Sequence, residues 1–180
     1  MSTISMSPLA KLMTTHARHG RVEWLGVRTE RRGAVEAVRH AVITENGLEG
    51  DHRARPGKRA VTLIQAEHLP VIATLAGEGA EVTWERLRRN IVVSGVNLLA
   101  LRDATFRVGT ATLRGTGICA PCSRMTEYFG PGGYNAVRGH GGILAEVLGS
   151  GEVVIGDALT PIYEASFNSL ARSIPRKPPD

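Results

Sequence analysis

From Arg21 onward, short apolar runs alternate with breaks rich in glycine and charge. Val22 to Arg28 and Val35 to Ile43 have strand character, and the polar turn around Arg31 to Gly33 between them is a hairpin signal. Asn46 to Arg59 holds too much Gly, Pro and charge for regular structure and predicts a surface loop. Ala60 to Ile64 then predicts a short buried strand. In Gln65 to Ala76 the apolar residues Leu69, Ile72, Ala73 and Ala76 fall at helical spacing. Thr83 is positioned to cap a short helix with Glu85 in its first turn, Ile91 to Val93 returns to strand, and Ser94 to Asn97 is a turn.

The second half continues in the same style. Thr105 to Val108 and Ala111 to Arg114 predict two strands joined at Gly109-Thr110, and Gly115 to Pro121 predicts a loop delivering two cysteines. Ser123 to Phe129 predicts a helical turn and Gly130 to Gly133 a loop. Ile143 to Leu148 and Val153 to Ile155 are strand-like, and Ala158 to Tyr163 is expected to close the sheet. Many short strands with few helices imply a mainly β (α+β) barrel or sandwich decorated by short helices. The regular strand and long-helix alternation of a doubly wound nucleotide-binding sheet is missing. One domain is expected over residues 21–165, with a flexible N-terminal arm at 1–20 and a tail at 166–180 that is Pro-rich and basic from Arg172 to Asp180.

Composition narrows the function. The chain has 180 residues, 42% of them hydrophobic and 22% charged, so one well-buried core is affordable in size. No apolar run approaches the roughly 18 residues of a membrane span, and no basic start with an apolar block marks export. The expectation is a cytoplasmic protein. Two cysteines do not make a secreted disulfide scaffold. The net charge of +5 raises nucleic acid as a partner. The arginines, however, are scattered without a basic helix or interleaved aromatics, and they suit a phosphate-bearing small molecule equally well.

Cys119-Ala120-Pro121-Cys122 is the most specific local feature, and three functional readings compete for it beside two ordinary buried cysteines. Structural zinc needs four ligands, and among the histidines only His16 and His19 are closely spaced. A thiol-disulfide pair would use both cysteines, although a redox fold places its pair after an early strand and before a long helix. A single thiolate at Cys122, with Arg124 and a following helix beside it, would ligate a soft metal or carry sulfur. A second constellation joins Asp51-His52-Arg53 and Lys58-Arg59 with Arg88-Arg89-Asn90: arginine offers bidentate donors to phosphate and asparagine serves a heterocycle. Its bland counterpart is a solvated basic face, which leaves a non-catalytic basic binding module open. The glycines of Gly139-His140-Gly141-Gly142 read as tight turns.

Taken in order, Gly47-Leu48-Glu49-Gly50-Asp51-His52-Arg53 with Arg59-Ala60-Val61-Thr62-Leu63-Ile64, Leu87-Arg88-Arg89-Asn90-Ile91-Val92-Val93, Phe106-Arg107-Val108-Gly109, Pro121-Cys122-Ser123-Arg124-Met125 and Gly141-Gly142-Ile143 leading to Gly156-Asp157 resemble the MOSC domain family. The resemblance spans Arg21 to Tyr163. It implies a barrel-like fold and a cysteine, matching Cys122, that ligates molybdenum in a pterin cofactor or carries a persulfide. His52, Arg53, Arg59, Arg89, Asn90 and Arg124 then match positions near the pterin and its phosphate, while Cys119 has no counterpart in the pattern. The implied activities are a molybdenum oxidoreductase acting on N-hydroxylated or similar small molecules and a sulfur carrier. Electrons or sulfur would come from an electron-transfer protein or a cysteine desulfurase. Pyridoxal phosphate is not expected, since no desulfurase domain is present, and an oligomer is compatible with the sequence.

Overall fold

A computed structural model describes residues 7–163. Its centre is a closed seven-stranded barrel. The strands are β1 (Gly20–Val27), β5 (Val61–Gln65), β6 (Ile91–Ser94), β7 (Thr105–Val108), β8 (Ala111–Ile118), β9 (Ile143–Gly149) and β11 (Ala158–Ile162). They run β11-β7-β8-β9-β5-β6-β1, and β1 pairs back onto β11 through Gly20 with Leu159, which removes both sheet edges. All these pairings are antiparallel except β5 with β6. The short strand β2 (Glu36–Val38) extends the sheet from β1, and β3 (His40–Thr44), β4 (Gly47–Leu48) and β10 (Gly151–Val154) form a separate three-stranded sheet.

The two-residue period of the strands sorts apolar side chains into two cores. Leu25, Leu63, Ile91, Val93, Phe106 and Leu113 fill the barrel. The intervening Ile64 and Val92 face outward and pack under α2 (His68–Ala76), α3 (Trp84–Leu87), α4 (Arg124–Phe129) and α5 (Gly133–Val137) with Ile72, Leu87, Met125, Phe129 and Val137. The helices therefore cover a stretch of wall, at β5 and β6, whose strands are apolar on both faces. Thr83 caps α3 as expected, its hydroxyl accepting from the Arg86 N–H at 3.3 Å. Thr83→Ala is expected to cost about 1 kcal/mol, read as a lower urea midpoint with an unchanged slope.

Several expected elements change shape. The run Val35 to Ile43 is not one strand: it breaks at Arg39, its first half pairing with β1 and its second with β10. The expected loop from Gly115 is partly strand, because β8 continues to Ile118 by pairing with β9 across a register shift at Gly115/Gly117. The turn Ser94 to Asn97 leads into a 3-10 helix, Leu98–Leu101, capped by the Asn97 side chain. The Gly130 to Gly133 break is followed by α5, which sequence punctuation concealed. Burial of Ala136 and Val137 beside α4 overrides its glycine-rich start. Within the segment expected as an arm, Pro8–Thr14 form a helix, α1, capped by the Ser7 side chain. The tail at 166–180 lies outside the described residues, as do residues 1–6 of the arm.

Candidate functional site

The end of β1, the loop from Leu48 to Ala60 and the start of β6 meet at one end of the barrel, and the Arg89 side chain reaches from there to the connection between β8 and β9. A buried polar knot lies beneath this end. Arg28 follows the apolar strand β1 and is only 7% exposed. Its Nε donates to Asp51 Oδ2 at 2.9 Å, one terminal nitrogen donates to Asn90 Oδ1 at 3.1 Å, and the other to the Arg88 carbonyl at 3.2 Å. Asn90 donates to Asp51 Oδ2 at 2.8 Å and to the Gly26 carbonyl at 3.2 Å. It also accepts from the Thr62 hydroxyl at 2.9 Å. Burial pushes the Asp51 carboxyl up, but the hydrogen bond and charge of Arg28, with donors from Arg53 N–H and Asn90, outweigh it and hold the group below its ordinary value.

This knot fixes the entry to the loop that carries the expected ligand-binding side chains. Asp51 Oδ1 accepts from the Arg53 N–H at 2.9 Å, the His52 N–H donates to the Arg28 carbonyl, and the His52 ring nitrogen Nδ1 lies 3.0 Å from that same oxygen. At the far end of the loop, the Thr116 hydroxyl of β8 donates to the Lys58 carbonyl. Arg53 and Arg59 are thus tethered by backbone at both sides, while their exposed guanidinium groups have no carboxylate within ion-pair distance among the described residues. Burial, followed by the like charges of Arg59 and Arg28, lowers the Arg53 pKa from its ordinary value, and Cys119 and Asp51 offset part of that. A mouth crowded with cations and short of anions favours an anionic ligand.

Arg89 and Asn90 both lie in the interior. Asn90 is 1% exposed and its amide is fully occupied by Asp51, Gly26, Arg28 and Thr62, so it supports the loop rather than facing a ligand. Arg89 is also buried. It donates to the carbonyls of Gly141 at 2.8 Å, Leu87 at 2.8 Å, Cys119 at 3.3 Å and Ala120 at 3.5 Å. It therefore clamps the β8 exit that leads to Cys122 against the Gly139 to Gly142 turn.

The two cysteines are both free but differ sharply: Cys119 is buried and Cys122 is exposed. The Cys119 N–H donates to the Gly142 carbonyl at 2.9 Å, pinning its peptide between that turn and Arg89. Cys122 sits in the following turn, its carbonyl accepting from Met125 N–H at the start of α4. Two residues on, Arg124 donates to the Arg32 carbonyl at 3.0 Å and to the Tyr128 hydroxyl at 2.8 Å, which ties α4 to the β1–β2 turn. Its Nε has no hydrogen-bond partner among the described residues.

His52, Arg53 and Arg59 thus come from a loop at one barrel end, and Arg89 ties the start of the Cys119-to-Arg124 segment to the start of β6, with Asn90 buried beside it. Arg28 and Thr62 were missed by sequence reasoning. Thr62 left a signal as the one hydroxyl inside an apolar run, whereas Arg28 left only its place after Leu25-Gly26-Val27. Among the described residues no group of three or more His, Cys, Asp or Glu is placed to hold a metal ion, and no helix is long and apolar enough to cross a membrane.

The family model for the MOSC domain matches residues 17–160. No curated protein gives a significant match. Among solved structures, the YUAD protein from Bacillus subtilis is similar at 19% identity with a TM-score of 0.71, covering 82% of this chain and 98% of its own. YiiM from Escherichia coli is similar at 21% identity and a TM-score of 0.63, covering 87% and 80%. YiiM from Geobacillus stearothermophilus is similar at 16% identity and a TM-score of 0.63, covering 86% and 84%.

Proposed function

Because the chain belongs to the MOSC domain family, we propose that it binds a molybdenum-pterin cofactor at the arginine-rich mouth, with the Cys122 sulfur as the protein ligand to the metal. The observation that carries this reading is the contrast between the cysteines: Cys122 is exposed, while Cys119 is buried. The residues fit the group, since one thiolate suffices for a soft metal whose other ligands come from the pterin, and planar guanidinium donors match a phosphate. Arg53 and Arg59 hold the pterin phosphate, and His52 and Arg124 flank it. Arg89 and the Arg28–Asp51–Asn90 knot position those side chains from behind. When bound, the cofactor supplies two-electron redox chemistry toward N-hydroxylated or similar small molecules, with electrons from a separate protein.

The exposed thiol also favours a second reading, a sulfur carrier. Here the Cys122 thiolate attacks the outer sulfur of a cysteine desulfurase persulfide, the desulfurase thiolate leaves, and Cys122 holds the sulfane sulfur. A thiol-disulfide exchange reading gains little from a Cys119 that is buried with its peptide pinned on both sides.

The test is molybdenum content by mass spectrometry and oxidised-pterin fluorescence on protein expressed where the cofactor is made. Wild type is expected to carry both, and Cys122→Ser to lose molybdenum by at least about tenfold with its barrel intact by circular dichroism. Equal molybdenum in both proteins sinks Cys122 as the ligand. Absence of metal and pterin from wild type, together with transfer of radiolabelled sulfur from a desulfurase to Cys122, moves the sulfur-carrier reading ahead.

A further inference from the structure

His68 and His140 form a pair that includes none of the residues assigned to the cofactor. His68 is the first residue of α2, and His140 lies in the turn between α5 and β9. The His140 N–H donates to the Val137 carbonyl at 2.9 Å, and the His140 carbonyl lies 3.2 Å from His68 Nδ1. A carbonyl only accepts, so Nδ1 carries the proton of that hydrogen bond, and in the neutral ring the open lone pair is on Nε2. Imidazoles that ligate metal ions are held in this way, one nitrogen donating to a backbone carbonyl while the other faces the ion.

The His140 ring stands beside that of His68, with centroids 5.1 Å apart and planes at 82°. Two imidazoles on one tetrahedral ion, each nitrogen about 2.0–2.1 Å from the metal, have centroids roughly 5 Å apart. The rings already stand at that separation, so a shared ion asks them to reorient rather than the backbone to move. Neither ring has a carboxylate within ion-pair distance among the described residues, and Glu67, the neighbour of His68, keeps Oε1 on the Gly95 N–H at 2.7 Å. Both histidines are half-buried, which leaves room for water at the remaining positions. We propose that His68 and His140 bind one divalent transition-metal ion of the zinc type, with water completing its coordination. Imidazole suits zinc, copper and nickel, whereas calcium and magnesium take oxygen ligands. The ion ties the start of α2 to the turn whose Gly141 carbonyl accepts from Arg89 and whose Gly142 carbonyl accepts from the Cys119 N–H. Its role is structural, bracing the turn that holds the Cys119 peptide, and it goes beyond the cofactor reading because it needs no pterin.

The measurement is isothermal titration calorimetry of zinc ion into the full chain, in wild type, His68→Gln, His140→Gln and Cys122→Ser. The expected result is one zinc per chain with micromolar affinity, weakened at least about tenfold in each histidine variant and unchanged in Cys122→Ser. The Cε1–H resonances of His68 and His140 should shift together as zinc is added. The melting temperature should rise by about 5 °C at free zinc a hundredfold above Kd. Circular dichroism checks the variants, and His140→Gln, in a turn, serves alone if His68→Gln does not fold. Zinc held equally tightly by wild type and the histidine variants overturns the proposal, and its loss in Cys122→Ser would give the ion to the thiol. Wild-type binding no tighter than millimolar overturns it as well.

Discussion

Asp51→Ala is expected to destabilise the protein by about 3–5 kcal/mol, because it leaves the Arg28 guanidinium buried without its counter-charge and frees the Asn90 amide from its acceptor. Both side chains of the pair are almost fully removed from water. The loss therefore reflects an uncompensated buried cation, in contrast with the surface pair Arg32–Glu127, whose removal should cost well under 1 kcal/mol. The double variant Arg28→Met/Asp51→Leu removes both charges and should recover much of the loss. Urea denaturation of the singles and the double settles it: a cost under about 1 kcal/mol for Asp51→Ala would show that water reaches the pair. The pH dependence has a definite sign. The folded carboxyl titrates below its ordinary value of 3.8, so its stabilisation is complete above that pH and is lost as pH falls through the folded value. Wild type should lose stability in acid more steeply than Asp51→Asn does.

Gly142→Ala is expected to be comparably severe, at roughly 3 kcal/mol or more. Its φ is +84°, and an added Cβ would stand 1.9 Å from the Leu63 carbonyl oxygen of β5, a backbone atom with no rotamer to escape by. The displaced turn would carry away the Gly142 carbonyl that fixes Cys119 and the Gly141 carbonyl that binds Arg89, so the Cys122 segment moves with it. Gly139 provides the control three residues earlier. Its φ is +85°, but open space surrounds the added Cβ, so Gly139→Ala should cost only about 1–2 kcal/mol of left-handed backbone strain. Thermal or urea unfolding of the two variants reads the difference, and equal costs would mean that β5 yields to the new methyl.

The barrel was legible wherever apolar alternation was uninterrupted, as at β5, β6 and β7. It was hidden where tertiary pairing did what local sequence does not favour: β8 crosses Gly115 and Gly117 because β9 lies alongside, and α5 starts on a glycine because Val137 is buried. The mouth was legible by residue type, since arginine, histidine and cysteine at loop positions mark chemistry. Side-chain direction was not. Arg88, Arg89 and Asn90 are polar in sequence yet all three turn inward, and only the fold shows that Arg28, 23 positions before Asp51, is the residue that holds it.

The closing pair β1–β11 joins the first described strand to the last. While the chain is being synthesised, β1 has left the ribosome long before β11 exists, and until then its Gly20 edge and the apolar residues behind it remain open. Sealing the barrel therefore waits on a long-range pairing, and the open edge of β1 is the stretch most exposed to wrong partners until β11 is in place.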